Sequence, residues 1–309
     1  MIPSLIEFIR DVNLSLVTIK FKNEKPFKMP TLLQKMSILS ITAGMQGIII
    51  AALGCPNGCD FCVTSHYWKR RYIPYFKSGY EIYTQIKKYK RDHGLNAVII
   101  IDEEFLLNRK RALEYLECIR KERHWDVHLM CFSSIKALSQ YSLEELMEMN
   151  LEIVWLGYEA HGAGYAKMEG KNPDELIREL QSHGIAVLAS SIIGYDYQTR
   201  EVIEKEFQTL MTVEPSFTQF LIYSPVYGTP LYDRLKKENR LLPGFDDPRR
   251  YRHKEIDGFT LQHRHPHLSQ QEASEIVEEL YKKDYELLGP SIIRIARVWF
   301  EGYLRMIEN

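Results

Sequence analysis

The sequence predicts an α/β protein built on a parallel sheet. Six short β-branched runs recur between residues 47 and 223, separated by longer stretches with helical apolar spacing. The runs are nearly continuous in apolar residues rather than alternating, as in strands covered on both faces. Right-handed crossovers wind such repeats into a barrel or an open sheet. A chain of 309 residues with 45% hydrophobic and 26% charged residues is an ordinary folded protein. It buries roughly 75% of its unfolded surface, enough for a closed core around a buried cofactor.

Residues 1–46 read as a helical or irregular N-terminal extension. Strands are expected at 47–53, 97–101, 127–132, 153–158, 186–193 and 217–223. Helical spacing fills the intervals: Ile82, Ile86 and Tyr89 within 81–91, then Leu113, Leu116 and Ile119 within 111–121. A helix over 142–149 opens on a Ser142–Glu145 capping box, and one over 173–182 runs from Asn172 to the stop at His183-Gly184. Val202, Ile203, Phe207 and Leu210 mark a helix over 201–211. Residues 230–309 differ, with a basic, loop-rich section over 234–254 and helical patterns over 269–288 and 290–307. The expected organisation is an extension (1–46), a strand–helix domain (47–229) and a mainly helical C-terminal cap (230–309). In such folds chemistry gathers at the C-terminal ends of the strands.

Composition excludes several functions. Lys and Arg number 40 against 41 Asp and Glu, a net charge of −1, which argues against a nucleic-acid binder. Five cysteines, an odd number, argue against a disulfide scaffold and for a reducing compartment. The N-terminus lacks the basic start and apolar core of a secretory signal, so a cytoplasmic location is expected. Residues 36–59 carry no charge, yet polar residues and glycines dilute them, and the dense run at 48–53 is strand-sized. A buried segment is preferred to a membrane span. With 19 Tyr and 13 Phe, the chain can line a pocket that is apolar with a few polar tips.

Directly after the first strand comes Leu53-Gly54-Cys55-Pro56-Asn57-Gly58-Cys59-Asp60-Phe61-Cys62. The Pro-Asn-Gly turn bends the chain so that the thiolates of Cys55, Cys59 and Cys62 converge. Three soft donors bind zinc, iron or an iron–sulfur cluster. A zinc-stabilised binding module would recruit His66 as a fourth ligand. An electron carrier would use four cysteines per cluster. With three, one iron of a four-iron cluster is left open to substrate.

Cys55-x3-Cys59-x-Phe61-Cys62 resembles the signature of the radical S-adenosylmethionine enzymes. The resemblance implies a partial (β/α)6 TIM-like barrel and a [4Fe-4S] cluster held by Cys55, Cys59 and Cys62. It implies S-adenosylmethionine on the fourth iron, cleaved by one electron to methionine and a 5′-deoxyadenosyl radical that takes a hydrogen from substrate. An electron donor such as a ferredoxin or flavodoxin is implied too. Phe61 would pack over the cluster. Glu159, in Trp155-Leu-Gly157-Tyr-Glu159, resembles the family's polar contact to the ribose or methionyl part of the cofactor. Ala189-Ser-Ser-Ile192-Ile-Gly194-Tyr-Asp196 resembles its G-x-I-x-G-x-x-E segment at adenine; only Ile192 and Gly194 carry over, because Ser190 and Tyr197 replace the first Gly and the final Glu. Where the family often has Gly-Gly-Glu, this chain has Asp102-Glu103-Glu104, and one of Asp102 or Glu103 is expected to grip the cofactor.

The run from Gly157 to Gly194, Ser224-Pro225-x-x-Gly228-Thr229-Pro230 and His265-Pro266-His267-Leu268-Ser269 most resemble the cobalamin-associated branch. That brings in cobalamin as a third cofactor, but only about fifty residues precede the cysteine loop, short of the branch's upstream cobalamin-binding domain. Asp126-x-His128-x-x-Cys131 lacks the glycine of a corrinoid-ligating motif and is read as accidental.

Other candidates take plainer readings. Cys118 and Cys131 are expected as small buried hydrophobes. His263, His265 and His267 form a polar loop before a helix capped by Ser269, in preference to a metal site. Lys69-Arg70-Arg71 is a solvated basic turn in preference to an anion site. The amphipathic stretch 292–307 packs on the barrel, in preference to a membrane or lipid contact. The expected function is radical cleavage of S-adenosylmethionine acting on a small molecule, by methyl transfer or cyclisation. No general acid or base is assigned.

Overall fold

The computed structural model describes residues 46–160, 162–247 and 258–308. The expected N-terminal extension up to residue 45, and residues 248–254 of the basic section, lie outside the described residues.

Eight strands are described: β1 (Gln46–Ile49), β2 (Ala52–Leu53), β3 (Ile73–Pro74), β4 (Ala97–Ile100), β5 (His128–Ser133), β6 (Leu151–Gly157), β7 (Ala186–Ile193) and β8 (Phe217–Ile222). β1, β4, β5, β6, β7 and β8 form a parallel sheet in that order. Each new strand is added beside the last, as right-handed crossovers dictate. This is the mixed α/β architecture with six parallel strands and a helical C-terminus that the sequence predicts.

The first predicted strand differs. Residues 47–53 break into β1 and β2, and β2 pairs antiparallel with β3. The break falls at Ala51, whose carbonyl accepts the Tyr75 and Phe76 amides and the buried Arg111 guanidinium. These bonds peel the chain off the sheet and aim it into the cysteine loop.

The helices are α1 (Val63–Tyr67), α2 (Gly79–His93), α3 (Arg109–Arg120), α4 (Ile135–Leu138), α5 (Leu143–Glu148), α6 (Pro173–Ser182), α7 (Arg200–Met211), α8 (Pro230–Lys237), α9 (Gln270–Leu288) and α10 (Ser291–Glu308). Ser78, Asn108, Asn172 and Thr199 cap α2, α3, α6 and α7 through side-chain oxygens. Capping boxes at Ser142 and Ser269 start α5 and α9. The predicted loop-rich section (234–254) begins inside α8, which starts on Thr229 with Pro230 in its first turn. Cys118 on α3 is half-buried rather than buried, whereas Cys131 on β5 is buried.

The outer face of the sheet forms the main core. Val98, Ile100, Leu129, Cys131, Val154, Leu156, Val187 and Ala189 meet Ile82 and Ile86 of α2, Leu116 of α3, Ile177 of α6 and Phe207 of α7. α10 closes the opposite end from the cysteine loop: Ile295 and Val298 pack on Ile153 and Ala186 at the starts of β6 and β7. A Cβ on Gly302 would lie 2.3 Å from Gly184 Cα, so the backbones meet only because both residues are glycine. Among the described residues, no helix is long and apolar enough to cross a membrane.

Candidate functional site

The cysteine loop leaves β2 at the C-terminal ends of the strands. Gly54 and Gly58 have φ of 77° and 72°, a region open to glycine. A Cβ on Gly54 would also stand 2.3 Å from the Arg71 carbonyl oxygen. Buried Ser65 staples the loop, accepting the Gly58 amide at 2.8 Å and donating to the Cys55 carbonyl at 2.7 Å. The Cys62 amide bonds the Cys59 carbonyl, and Cys62 is the N-cap residue of α1.

Cys55 and Cys59 are buried and Cys62 is half-buried. Burial pushes the Cys55 thiol up to about 12, against the lowering effect of the Asn57 amide. Burial pushes Cys59 up to about 11, opposed by the Lys167 ammonium. Cys55 feels the Cys59 and Cys62 thiols and Cys59 feels that of Cys62, so the three share one locale. Thiols this weakly acidic become ligands when a metal displaces the proton.

This donor set fits a three-thiolate cluster better than one zinc ion. Zinc needs four donors at about 2.0–2.3 Å from one point. Among the described residues, no three His, Cys, Asp or Glu side chains are grouped to hold one ion. His66, the fourth ligand on the zinc reading, instead has Nε2 bonded to the Cys59 carbonyl at 3.0 Å.

The acidic segment after β4 is rearranged relative to expectation. Asp102 is the centre of a buried brace: it pairs with Arg111, accepts the Tyr72 hydroxyl at 2.7 Å and accepts the Glu104 amide at 3.1 Å. Both its oxygens are engaged within the protein. Glu103 is exposed. Glu104, unassigned from sequence, is buried and reaches the loop, accepting Asn57 Nδ2 at 3.0 Å and Ser134 Oγ at 3.1 Å. Burial raises its carboxyl to about 7.

Glu159 follows β6, buried, with φ of 58°. A non-glycine residue held there is strained by about 1–3 kcal/mol, a feature that clusters at functional sites. It forms an ion pair with Lys167, and Tyr195 OH lies 3.4 Å from its other oxygen. Burial alone would lower the Lys167 pKa, but Glu159 and Cys59 hold it above the usual lysine value. Lys167 Nζ stands 5.9 Å from the Phe61 ring centroid. Gly157 makes room for the pair, since a Cβ there would lie 2.8 Å from Lys167 Nζ and 2.9 Å from Glu159 Oε1.

At the end of β7, Gly194 has φ of 101° and its amide donates to buried Gln198 at 2.7 Å. Ile192 packs in a second apolar cluster with Tyr195, Tyr223 and Leu231, against which Phe61 and Tyr165 rest. Phe61 meets Tyr165 and Tyr223 edge-on, with centroids 5.6 and 5.9 Å away. Asp60 accepts both of those tyrosines. The fold therefore brings Phe61, Glu159, Ile192 and Gly194 to the mouth that holds the cysteines. Sequence reasoning missed Asp60, Lys167 and the three tyrosines, because their partners are set by strand register and loop placement.

The three histidines do not converge. His263 is buried with neither ring nitrogen hydrogen-bonded, and burial lowers its pKa to about 4. His265 bonds the Tyr195 carbonyl through Nε2 at 2.8 Å and receives the His267 and Leu268 amides on Nδ1. His265 thus supports the turn before α9. Lys69, Arg70 and Arg71 are exposed, with Arg70 Nε 3.4 Å from the Pro56 carbonyl.

The model of the radical SAM superfamily matches residues 49–210. The chain belongs to that superfamily. It is 25% identical over 201 residues to an uncharacterized methyltransferase of Pyrococcus horikoshii, covering 63% of this chain and 43% of the relative. It is 27% identical over 208 residues to hopanoid C-2 methylase of Rhodopseudomonas palustris, covering 64% and 39%. It is 26% identical over 199 residues to an anaerobic magnesium-protoporphyrin IX monomethyl ester cyclase of Cereibacter sphaeroides, covering 60% and 31%. The chain thus spans well under half the length of these relatives. Among solved structures, the methyltransferase TsrM of Kitasatospora setae, bound to tryptophan and a SAM analogue, superposes with a TM-score of 0.54 at 17% identity, covering 72% of this chain and 44% of that one. Another TsrM structure, at a TM-score of 0.53 and 16% identity over 64% and 41%, holds cobalamin and a [4Fe-4S] cluster. These superpositions show the shared fold.

Proposed function

We propose that this chain cleaves S-adenosylmethionine reductively at a [4Fe-4S] cluster and directs the resulting radical chemistry to methyl transfer or ring closure on a small molecule. One observation carries the reading: three buried or half-buried thiols on a stapled loop face a strained Glu159–Lys167 pair at the C-terminal mouth of a superfamily barrel. Cys55, Cys59 and Cys62 would hold the cluster, leaving one iron for the amino and carboxylate groups of the cofactor. Glu159 and Lys167 present opposite charges to that zwitterion, Phe61 walls the loop, and Ile192 and Gly194 floor the adenine. Glu103 is the remaining candidate of the predicted acidic pair. When bound, the cluster and cofactor supply one-electron cleavage of a sulfonium C–S bond.

The protein's share is placement and exclusion of water, since a carbon radical must meet its substrate before anything else. The domain over 47–229 does this and the cap over 230–309 encloses it. An external donor such as a ferredoxin or flavodoxin would deliver the electron. The methylase and cyclase activities named for the relatives support the two outcomes, and a corrinoid requirement is tested by adding cobalamin to the assay. Anaerobic reconstitution should give about four irons per chain, and the reduced protein should form 5′-deoxyadenosine. Unchanged iron content and product in Cys59→Ala would overturn the assignment.

A further inference from the structure

The turn behind the cysteine loop carries charge that the cofactor site does not use. From Gly54 to Ile73 the chain has three consecutive cations, Lys69, Arg70 and Arg71, against one carboxylate, Asp60, although the whole chain stands at −1. All three cations are exposed. The carboxylates that reach this segment are engaged elsewhere. Asp60 is held by two tyrosines, Asp102 by Arg111 and Glu104 by Ser134, while Glu103 bonds Thr64. Among the described residues, Lys69, Arg70 and Arg71 form no ion pair; Arg70 reaches only the Pro56 carbonyl.

Lys69 and Arg70 have φ of 54° and 56°, consecutive left-handed positions that glycine or asparagine fills more easily. Their amides are pinned to the His66 and Ser65 carbonyls at 3.0 and 2.7 Å. Long cationic side chains are thus presented outward from a backbone that disfavours them. The turn also lies directly on the loop, since a Cβ on Gly58 would stand 2.5 Å from Arg70 Nε. A body seated on the turn is separated from the thiols of Cys55 and Cys59 by the thickness of that loop alone. The other approach, past Lys167 and Phe61, belongs to the cofactor mouth. Beside the cations Tyr67 is 72% exposed, and Leu53 and Ile73, paired across β2 and β3, are exposed as well. Aromatic and apolar groups with a charged rim suit a protein interface, and electron-transfer encounters need little area.

We propose that this turn docks an acidic one-electron carrier protein, with Lys69 and Arg71 meeting carboxylates around its redox centre and Tyr67, Leu53 and Ile73 forming the apolar contact. The proposal deepens the functional reading above and rests on it. One electron leaves the reduced carrier, whose centre is oxidised, and enters the [4Fe-4S] cluster, which passes from 2+ to 1+; no atom or proton is transferred. Opposite charge steers such an encounter and raises its rate by roughly 10–1000-fold, an effect that salt suppresses. A nucleic acid fits less well, because it would meet only three cations on a chain whose net charge is negative.

The test uses the full chain, as purified and cluster-reconstituted, with a plant-type [2Fe-2S] ferredoxin as the acidic carrier. Calorimetry should show ferredoxin binding to the as-purified chain. Its affinity should fall at least about tenfold in the double variant Lys69→Gln/Arg71→Gln, and should fall in the parent as salt is raised. Arg70 is left in place because it packs on the loop. Reduction of the reconstituted cluster, read as loss of its visible absorbance, should be at least about tenfold slower in the variant with reduced ferredoxin. With photoreduced 5-deazariboflavin, a small uncharged reductant, the two proteins should match. Parent-level ferredoxin binding or reduction in the variant overturns the proposal, and so does equal slowing with both reductants, which marks a damaged loop. Binding of a mixed-sequence RNA hairpin that is tighter than that of ferredoxin and lost in the same variant reassigns the turn to nucleic acid. 5′-Deoxyadenosine formed under deazaflavin reduction, with ferredoxin binding indifferent to the variant, sinks the docking alone. Failure to assemble a cluster, alongside ferredoxin binding that depends on Lys69 and Arg71, sinks the radical reading while the surface stands.

Discussion

The Tyr223 hydroxyl donates to Asp60 at 2.6 Å, joining the cysteine loop to the end of β8 across the open side of the sheet. β1 and β8 are the two edges of the six-stranded order, and among the described residues no strand pairing joins them. Asp60 bridges that side with hydrogen bonds: its other oxygen accepts Tyr165 at 2.6 Å, and its carbonyl accepts the Leu231 amide at 3.0 Å. Bonds to a carboxylate are worth about 1.5–3 kcal/mol each. Asp60→Ala should therefore raise amide hydrogen exchange across residues 54–66 of the apoprotein by at least tenfold, Tyr223→Phe should do so less, and Asp60→Asn should recover part of the protection.

Asp102 and Arg111 predict a different phenotype. Both side chains are almost wholly buried, and the pair also holds Tyr72 and the Ala51 carbonyl at the strand break. Removing one partner of a buried pair leaves the other charge stranded, at about 3–5 kcal/mol. Asp102→Asn should lower the thermal midpoint of the apoprotein by several degrees. A normal midpoint with weakened S-adenosylmethionine binding would return Asp102 to the cofactor.

The Asp102 case shows where the sequence is legible. Strand and helix placement follows from local periodicity, so 173–182 and 186–193 coincide with α6 and β7. The three cysteines are contiguous, so their loop is visible at once. Asp102 sits at the end of a strand, where a cofactor contact is expected, but its partner is fixed by the phase of the following helix, which turns Arg111 inward. Tyr165 and Tyr223 meet Asp60 from 105 and 163 residues away, and no local pattern encodes those contacts. The break at Ala51 is equally hidden, because it depends on amides from residues 75 and 76.

The contact between Gly302 and Gly184 isolates the closed end of the barrel. An added methyl at residue 302 meets backbone rather than a yielding side chain. Overpacking of this kind is destabilising by about 1–3 kcal/mol. Gly302→Ala should lower the thermal midpoint and leave the iron content after reconstitution unchanged, because the cysteine loop lies at the other end of the strands.

Glu152 lies near the same end, buried, with one oxygen unpartnered and burial holding its carboxyl up at about 8. Between the ordinary value of 4.5 and about 8 the folded state keeps a proton that the unfolded chain releases. Its contribution is thus full below pH 4.5 and lost as pH rises through that window. Glu152→Gln removes the ionisation. Its thermal midpoint, compared with that of the parent, should be nearly equal at pH 5 and higher at pH 8, by the equivalent of about 3 kcal/mol.

Lys167 and Glu159 should act as a unit toward the cofactor zwitterion. Lys167→Met leaves the strained Glu159 buried without its cation, and Glu159→Gln leaves Lys167 without its anion beside the thiols. Each single change should weaken S-adenosylmethionine binding to the reconstituted protein by about 30-fold or more, on the scale of about 2 kcal/mol for a truncated buried charge pair. The double variant should bind nearly as well as the weaker single variant, because neither charge is then left stranded. Equilibrium binding across the four proteins gives the coupling between the two residues. Single variants that bind S-adenosylmethionine as tightly as the parent would mean that the pair braces the loop and that the cofactor contacts neither side chain.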